Sequence, residues 1–438
     1  MTVALLPVPL IANRYRLFEK IGQGGMGAVY RAQDRLRGTM VALKRVELPY
    51  NSRILSETQL DSELASRMAL VNEFRLLASL RHPNIVSVLD YGLESDNTPF
   101  FTMELIDAPQ PFMRAISQYT LVEKVEVLVQ LLQALVYLHR HNIVHHDLKP
   151  NNVLIDSTGQ VRVVDFGLAL RAEDHTSQAG TLHYTAPELI NGGIATVATD
   201  LYSFGVMCYE ALLGERPFQM RSISQLKRDI RKKAVDFRDR RESLGQPITE
   251  LLTRLLAKDP QERPPNATAV KRALCAAVNL PLPVETPDIR NSFLQTAQFV
   301  GRVSQLAQLE QALDEAREGY GSAWFVVGES GVGKTRLLDE LRIRALVKDI
   351  HVLRGHAFEN TNSTFEMWRA PIESLLLTTP VTSLEASILK ALVPTIDNLL
   401  EHPVEEIPPS ALSPARPLDD DHCGVVRASN TADLAAAR

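Results

Sequence analysis

The chain has 438 residues, a formal net charge of −5, and 45% hydrophobic against 23% charged residues. That length gives room for two or three domains with at least one large core, and the composition is that of an ordinary globular chain. The net charge and the scatter of lysine and arginine give no domain-scale basic footprint, which excludes nucleic acid as an expected partner.

Cys208, Cys275 and Cys423 are far apart and form neither a disulfide framework nor a CxxC metal pattern, which predicts a reducing cytoplasm. The opening MTVALLPVPLIANRYR has no basic start and is broken by Pro7 and Pro9, against a signal peptide. No run of 18 apolar residues occurs, so no membrane span is expected.

Residues 15–46 predict three strands, YRLFEKIG, AVYRAQD and TMVALKRVE, separated by glycines and polar turns. From about 56 to 81 the pattern becomes helical, with apolar residues at 70, 71, 74, 77 and 80. HPN at 82–84 ends that helix, because the residue before a proline disfavours helical torsion angles. NIVSVLDYG and PFFTMELI predict two further strands. Helices dominate from about 119 to 280, interrupted by the short strands VLI and VRVVDF. A small β-rich lobe is thus expected to precede a larger helical one.

Three prolines and no sustained period mark 277–297 as a linker. A second unit begins near Phe299: helix SQLAQLEQALDEAREG, strand AWFVV, turn GESGVGKT, helix RLLDELRIRAL, strand HVLRG. This order predicts a parallel α/β sheet. Beyond about 402 the chain is polar and proline-rich with no core pattern, and poor order is expected there.

The chemistry concentrates in a few motifs. Gly22, Gly24 and Gly27 have the spacing GxGxxG, but the strand-forming AVYRA follows them and Lys44 of VALK lies about 20 residues on. A dinucleotide fold would place a helix and an acid there. A glycine-rich hairpin with a lysine on a neighbouring strand suits backbone N–H groups approaching phosphates. IVHHDLKPNNVL, DFG and APE then follow in order. With these motifs, residues from about 15 to 275 resemble a eukaryotic-type protein kinase domain of the kind many bacteria carry.

The resemblance implies roles motif by motif. Lys44 matches the lysine that binds the α- and β-phosphates of ATP, and Glu73 its helical partner, with Glu63 the competing candidate. Asp147 matches the aspartate that orients the acceptor hydroxyl and takes its proton, and Lys149 would offset charge at the γ-phosphate. Asn152 and Asp165 match the magnesium ligands, with manganese as a substitute. Met103 would be the gatekeeper, Glu104 to Ile106 the hinge, and Ile21, Val29 and Ala42 further walls of the nucleotide pocket. Glu188 and Arg263 match a structural ion pair, and Asp200 an aspartate that supports the catalytic loop. The interval from Lys44 to Glu73 predicts an insertion at about 49–66.

Lys149 implies serine/threonine specificity. Thr181 of GTLHYTAPE matches the threonine that bonds the aspartate and lysine, which makes it a weaker phosphosite than Thr176 and Ser177. His146 stands where the family has an arginine that grips an activation-segment phosphate. A histidine has fewer donors and is mostly neutral at pH 7, so activity is expected to persist with weakened control by phosphorylation.

GESGVGKT at 328–335 fits the P-loop pattern, with Gly328, Gly333, Lys334 and Thr335 as phosphate and magnesium contacts. Together with FVGRVSQLAQLEQAL, it resembles the opening of AAA-like and STAND-type signalling ATPases. Hydrolysis also needs an acid after a buried apolar strand. Asp397 of VPTID and the acids at 419–421 fit that poorly, so nucleotide binding without hydrolysis is expected.

The expected architecture is α+β: an N-terminal extension (1–14), a bilobal kinase fold (15–275, lobes meeting near 107), a linker (276–297), a partial α/β P-loop module (298–400) and a tail (401–438). The expected function is phosphoryl transfer from ATP to serine and threonine hydroxyls of proteins, with autophosphorylation through self-association. The alternative is a signalling scaffold with a degenerate kinase and a nucleotide-gated switch; the presence of Lys44, Asp147, Asn152 and Asp165 together argues against it.

Overall fold

A computed structural model describes residues 10–24, 27–46, 80–94, 98–164, 179–237, 244–283, 289, 302–348, 350–357 and 365–406. The predicted helix of 56–79, with Glu63, Glu73 and the insertion, lies outside the described residues, as do Asp165, Thr176 and Ser177.

The N-terminal lobe is an antiparallel sheet of six strands: β1 (Leu10–Ile11), β2 (Tyr15–Gly24), β3 (Gly27–Asp34), β4 (Met40–Val46), β5 (Val88–Leu93) and β6 (Pro99–Glu104), in the order β1-β2-β3-β4-β6-β5. The sheet therefore begins at Leu10, ahead of the lobe start expected at 15. The two-residue side-chain period of β4 divides its face in two. Val41 and Leu43 pack with Ile11, Tyr15, Leu17, Ala32 and Phe100 on one side. Ala42 joins Phe101 and Met103 in the main core on the other. Lys44 has the same parity as Ala42, so the sheet itself delivers the lysine to the inner face.

The outer edge of the lobe is tied by charge. Arg14 donates from Nε and Nη2 to Asp34 (2.9 and 2.8 Å) and from Nη1 to Asp90 (2.6 Å), which also accepts from the Tyr15 hydroxyl (3.2 Å). Burial works against the Arg14 charge, but the Asp34 hydrogen bond and the surrounding charges outweigh it and hold its pKa above the ordinary value.

The helical lobe is built on Leu121–Arg140 and Val197–Leu213. The first starts at a capping box in which Thr120 accepts from the Glu123 N–H and the Glu123 carboxylate accepts from the Thr120 N–H. The second is buried on nearly every face, so it has no polar stripe and forms the axis of the lobe. Gly205 sits where this axis meets Gln246–Leu255, and a Cβ there would lie 2.8 Å from Leu255 Cβ. The helix ends at Gly214 in the left-handed region, φ 74°. Cys208 and Cys275 are buried free thiols, and burial pushes the Cys208 pKa up to about 12.

Lys258 Nζ lies 4.5 Å from the Phe218 ring centroid and 6.0 Å from that of Tyr202, with no hydrogen bond among the described residues. Burial, then the neighbouring Arg263, lowers its pKa from 10.5 to about 8. Between these two values the unfolded chain binds more protons, so stability should rise with pH across about 8 to 10.5. Urea melts at both ends of that window should show the rise in the native chain and a flatter profile in Lys258→Met. An unchanged slope in the variant would assign the rise elsewhere.

The second unit contains the helices Val303–Arg317, Lys334–Val347, Glu366–Thr378, Ser383–Leu389 and Ile396–Leu400. Leu306, Leu309 and Leu337 join the first two, and Leu376, Leu377, Val393, Ile396 and Leu399 form a separate cluster. The helices on either side of the P-loop are as expected. The strands AWFVV and HVLRG are not: among the described residues 323–327 and 351–355 pair with nothing, and Phe325 and Val327 are each 80% exposed. A parallel strand needs a partner on its hydrogen-bonding edge, and no described segment supplies one. Residues 401–406, placed in the tail by sequence, are packed here, with Val404 buried in the second cluster. Among the described residues no helix is long and apolar enough to cross a membrane.

Candidate active site

The site lies where one apolar cluster bridges the two lobes, containing Ala42, Phe101 and Met103 from the sheet and Leu148 and Val153 from below. Strand register arranges its upper wall. Val29 pairs with Lys44 across β3 and β4, and Ala42 pairs with Met103 across β4 and β6. Val29 and Ile106 pack partly buried against the cluster, while Ile21 is half exposed near the hairpin tip. Gly22 faces Val29, and Gly24 faces Gly27 next to the tip. Gly27 has φ 131°, a conformation that L side chains rarely adopt. Lys44 is buried, 6% exposed, with Nζ 5.7 Å from the Phe101 ring centroid.

The lower wall is the segment after helix Leu121–Arg140. Lys149 Nζ lies 2.6 Å from Asp147 Oδ2 and donates to Thr181 Oγ1 at 3.0 Å. Asn152 Nδ2 donates to the Asp147 backbone oxygen (2.8 Å) and to Asp147 Oδ2 (3.1 Å). The short helix Pro150–Asn152 and the strand Val153–Ile155 follow at once, so Asn152 is held by regular structure on its C-terminal side. Committing the Asn152 nitrogen to Asp147 keeps its carbonyl oxygen, a hard donor, for a cation such as magnesium. The Asn152 oxygen therefore fits that ion.

Asp200, 1% exposed, stands behind this segment. It accepts from the backbone N–H groups of His145 (2.8 Å) and His146 (3.1 Å). His146 has φ 68°, a left-handed conformation that costs a residue with a Cβ roughly 1–3 kcal/mol unless its surroundings hold it. The Asp200 carboxylate supplies that restraint. His139 Nε2 also meets Asp200 Oδ2 at 2.8 Å. His139 escaped the sequence reading, although its place in the last turn of the helix, six residues before His145, was a usable signal.

Glu188 and Arg263 meet as a two-point pair, Nη1 to Oε1 at 2.7 Å and Nη2 to Oε2 at 2.8 Å. Burial favours the neutral acid, but Arg263 overrides it and holds the Glu188 pKa below the usual carboxylate value. At the other end of the cleft the Glu104 carboxylate pairs with Arg162 on the strand Val161–Val163, a contact between hinge and lower lobe that no motif announced.

In the second unit, Lys334 Nζ donates to the carbonyls of Gly328 (2.7 Å) and Glu329 (2.8 Å). Gly331 and Gly333 have φ 85° and 90°, which closes the loop over the helix that starts at Lys334; Thr335 is exposed on its first turn. Asp397 is occupied by Lys390 and the Val404 N–H (2.6 Å), a structural role instead of a place beside the loop.

A sheet lobe bearing a buried lysine, closed over an Asp–Lys–Asn loop through a shared core, defines a two-lobed α+β phosphotransferase fold. Residues 15–274 match the protein kinase domain, and the chain belongs to that family. Residues 298–433 match the AAA ATPase domain, a match that runs past the boundary expected at 400.

The chain is similar to the DNA damage-responsive serine/threonine-protein kinase RqkA of Deinococcus radiodurans, 35% identical over 286 residues, 61% of this chain and 40% of the relative. It is 32% identical over 261 residues to the serine/threonine-protein kinase PrkC of Bacillus subtilis, 58% of this chain and 39% of the relative. It is 37% identical over 219 residues to the serine/threonine-protein kinase PknA of Mycobacterium tuberculosis, 48% of each. The chain thus spans less than half the length of each of these relatives.

Proposed function

We propose that the chain transfers the γ-phosphate of ATP to serine and threonine hydroxyls of proteins, its own included, within a kinase domain of about residues 15–275. The observation that carries this reading is the chain of side-chain contacts that runs from Asn152 to Asp147, from Asp147 to Lys149 and from Lys149 to Thr181. A carboxylate that accepts a proton must be fixed beside a cation that offsets the incoming negative charge, and these side chains supply both. In this reading Asp147 aims the acceptor hydroxyl and takes its proton. Lys149 neutralises charge at the transferred group and, through Thr181, ties the loop to the segment on which a peptide would lie. Lys44 grips the inner phosphates, with Glu73 as its anchor.

Asn152 and Asp165 would hold magnesium, which would supply charge neutralisation at the phosphates of ATP. Val29, Ala42, Met103 and Ile106 wall the base, and the backbone of Glu104 to Ile106 offers it hydrogen-bonding groups. The second unit binds nucleotide at Lys334 and Thr335 without hydrolysing it. A cytoplasmic setting agrees with the buried free thiols of Cys208 and Cys275. The test is transfer of labelled phosphate from ATP, with magnesium or manganese, to a generic basic acceptor. Labelling that Lys44→Ala leaves at the native level would end the assignment.

His146 gives the reading a regulatory consequence. Its backbone N–H serves Asp200, and its imidazole lacks the planar fork with which an arginine grips phosphate. Acidic mimics at Thr176 and Ser177 should therefore change the rate less than about twofold in the native chain, and more than fivefold once His146→Arg restores the fork; both thresholds are order-of-magnitude values for a charge-assisted contact. Equal responses in the two backgrounds would remove the histidine from any part in phosphate control.

A further inference from the structure

We propose that the second unit is a nucleotide-responsive regulator seated on the outer edge of the kinase N-lobe. This rests on the reading of the P-loop as a nucleotide site. Two separate contacts make the seat. In the first, Arg35, on the turn between β3 and β4, donates from Nη2 to the carbonyl oxygen of Leu399 at 2.7 Å and pairs with Glu401 at 3.1 Å. Its side chain is 10% exposed, and Nη1 is held by the Asn13 carbonyl at 2.8 Å.

Leu399 supplies one of the last carbonyls of the helix Ile396–Leu400, the end that attracts a cation. Glu401 follows with φ 60°, so the chain turns sharply there, and its carboxylate also pairs with Arg16. Leu36, next to Arg35, packs against the apolar cluster of the second unit. A charged grip with an apolar neighbour is the composition of a built contact, in contrast to a chance surface pair.

The second contact starts from the P-loop itself. Lys334 opens the helix Lys334–Val347, and Arg342, eight residues further on and roughly 12 Å along the axis, lies 3.5 Å from Asp90. Asp90 is the carboxylate already shared by Arg14 and Tyr15. It sits on β5 opposite Thr102, and Val88 of the same strand pairs with Met103, a wall of the ATP pocket.

Lys334 now spends its protons on the carbonyls of Gly328 and Glu329. A phosphate in the loop competes for that ammonium and shifts the helix whose eighth-next residue holds Asp90. Occupancy of the P-loop therefore changes the restraint on β5, and through it the wall at Met103. The helix is the mechanical element, and Asp90 is the point at which it meets the N-lobe sheet.

Amide hydrogen exchange of the full chain tests both contacts. Arg35→Glu and Glu401→Arg should each speed exchange of residues 396–404 by about tenfold, because like charges then face each other. The combined reversal Arg16→Glu, Arg35→Glu and Glu401→Arg should restore part of the protection, because the ion pairs re-form with opposite polarity while a carboxylate at 35 cannot donate to the Leu399 carbonyl. Native protection in both single variants would overturn the seat.

For the coupling, ATP is added to a Lys44→Ala chain, which weakens the kinase pocket. Exchange should slow at 328–337 and change by about fivefold at 88–93. The 88–93 response should vanish with Lys334→Ala, and also with Arg342→Glu, although there the P-loop remains protected. Protection at 328–337 with no change at 88–93 would sink the coupling alone. Absence of protection at 328–337 would remove the nucleotide reading and the coupling with it.

Discussion

Asp147→Asn is expected to lower kcat by on the order of 10²–10⁴-fold, the range associated with a positioned proton acceptor, while the KM for ATP changes little. Asparagine has the shape of aspartate and can still accept from Asn152 Nδ2, which now lies 3.1 Å from Oδ2, so the loop should keep its form. What disappears is the negative charge that holds Lys149 at 2.6 Å and the basic oxygen that takes the hydroxyl proton.

Lys149 still reaches Thr181 at 3.0 Å, so the lysine has a second anchor. The two residues act as a unit, and the combined variant Asp147→Asn with Lys149→Ala should be little worse than the weaker single variant. Steady-state rates with a peptide acceptor give both numbers. Full turnover in Asp147→Asn would mean that the proton leaves by another route and that the site has been misplaced.

Arg263→Met is expected to cost roughly 3–5 kcal/mol of stability, the usual penalty for removing one partner of a buried pair. The Arg263 side chain is fully buried and donates to Glu188, to the Ala198 carbonyl at 2.8 Å, to the Ala257 carbonyl at 3.1 Å and to the Lys258 carbonyl at 3.5 Å. Its removal leaves the Glu188 carboxylate with Thr199 Oγ1 at 2.9 Å as its remaining side-chain donor among the described contacts. For a domain of this size that is a fall in Tm of roughly 10 °C.

The carboxylate then protonates at a higher pH. In the native chain the Glu188 pKa lies below its unfolded value, so its contribution is complete above about the ordinary 4.5 and is lost as pH falls through the lowered value. In the variant that acid-side loss should shrink, because without Arg263 the folded pKa moves back up towards the unfolded value. Replacing both partners with apolar residues should recover much of the stability, because desolvating an ion pair costs about as much as the pair returns. Thermal melts of the single and double variants, read against pH, separate a buried pair from a surface one; a single variant within about 0.5 kcal/mol of native stability, the usual range of a surface substitution, would place Arg263 outside the core.

Much of the kinase half was legible because its signals are local. Thr120 and Glu123 are three residues apart, and their reciprocal bonds are the capping box that starts the helix. Alternation in VALK puts Lys44 and Ala42 on one face, and the register of β3, β4 and β6 confirms that parity. Asp147, Lys149 and Asn152 lie within six consecutive positions, so the loop that joins them is itself the geometry.

The second unit was read less well for a complementary reason. AWFVV has the composition of a buried strand, yet composition does not supply the neighbouring strand that would complete its hydrogen bonds. The tail boundary failed similarly: Val404 reads as a lone apolar residue among polar ones, and only the cluster around Leu377 and Ile396 gives it a place to be buried.

By itself, then, the sequence determined the order of strands and helices in the kinase half, and the Asp–Lys–Asn loop with its glycine-rich cover. Each of these follows from side-chain periods or spacings that a few consecutive residues carry. Tertiary structure alone decided that His139 would brace Asp200, 61 positions away, that Arg162 would meet the hinge glutamate, 58 positions away, and that Arg16 would meet Glu401, 385 positions away. A charge does not specify its partner. The partner is chosen when apolar burial brings distant segments together and leaves opposite charges as each other's least costly neighbours.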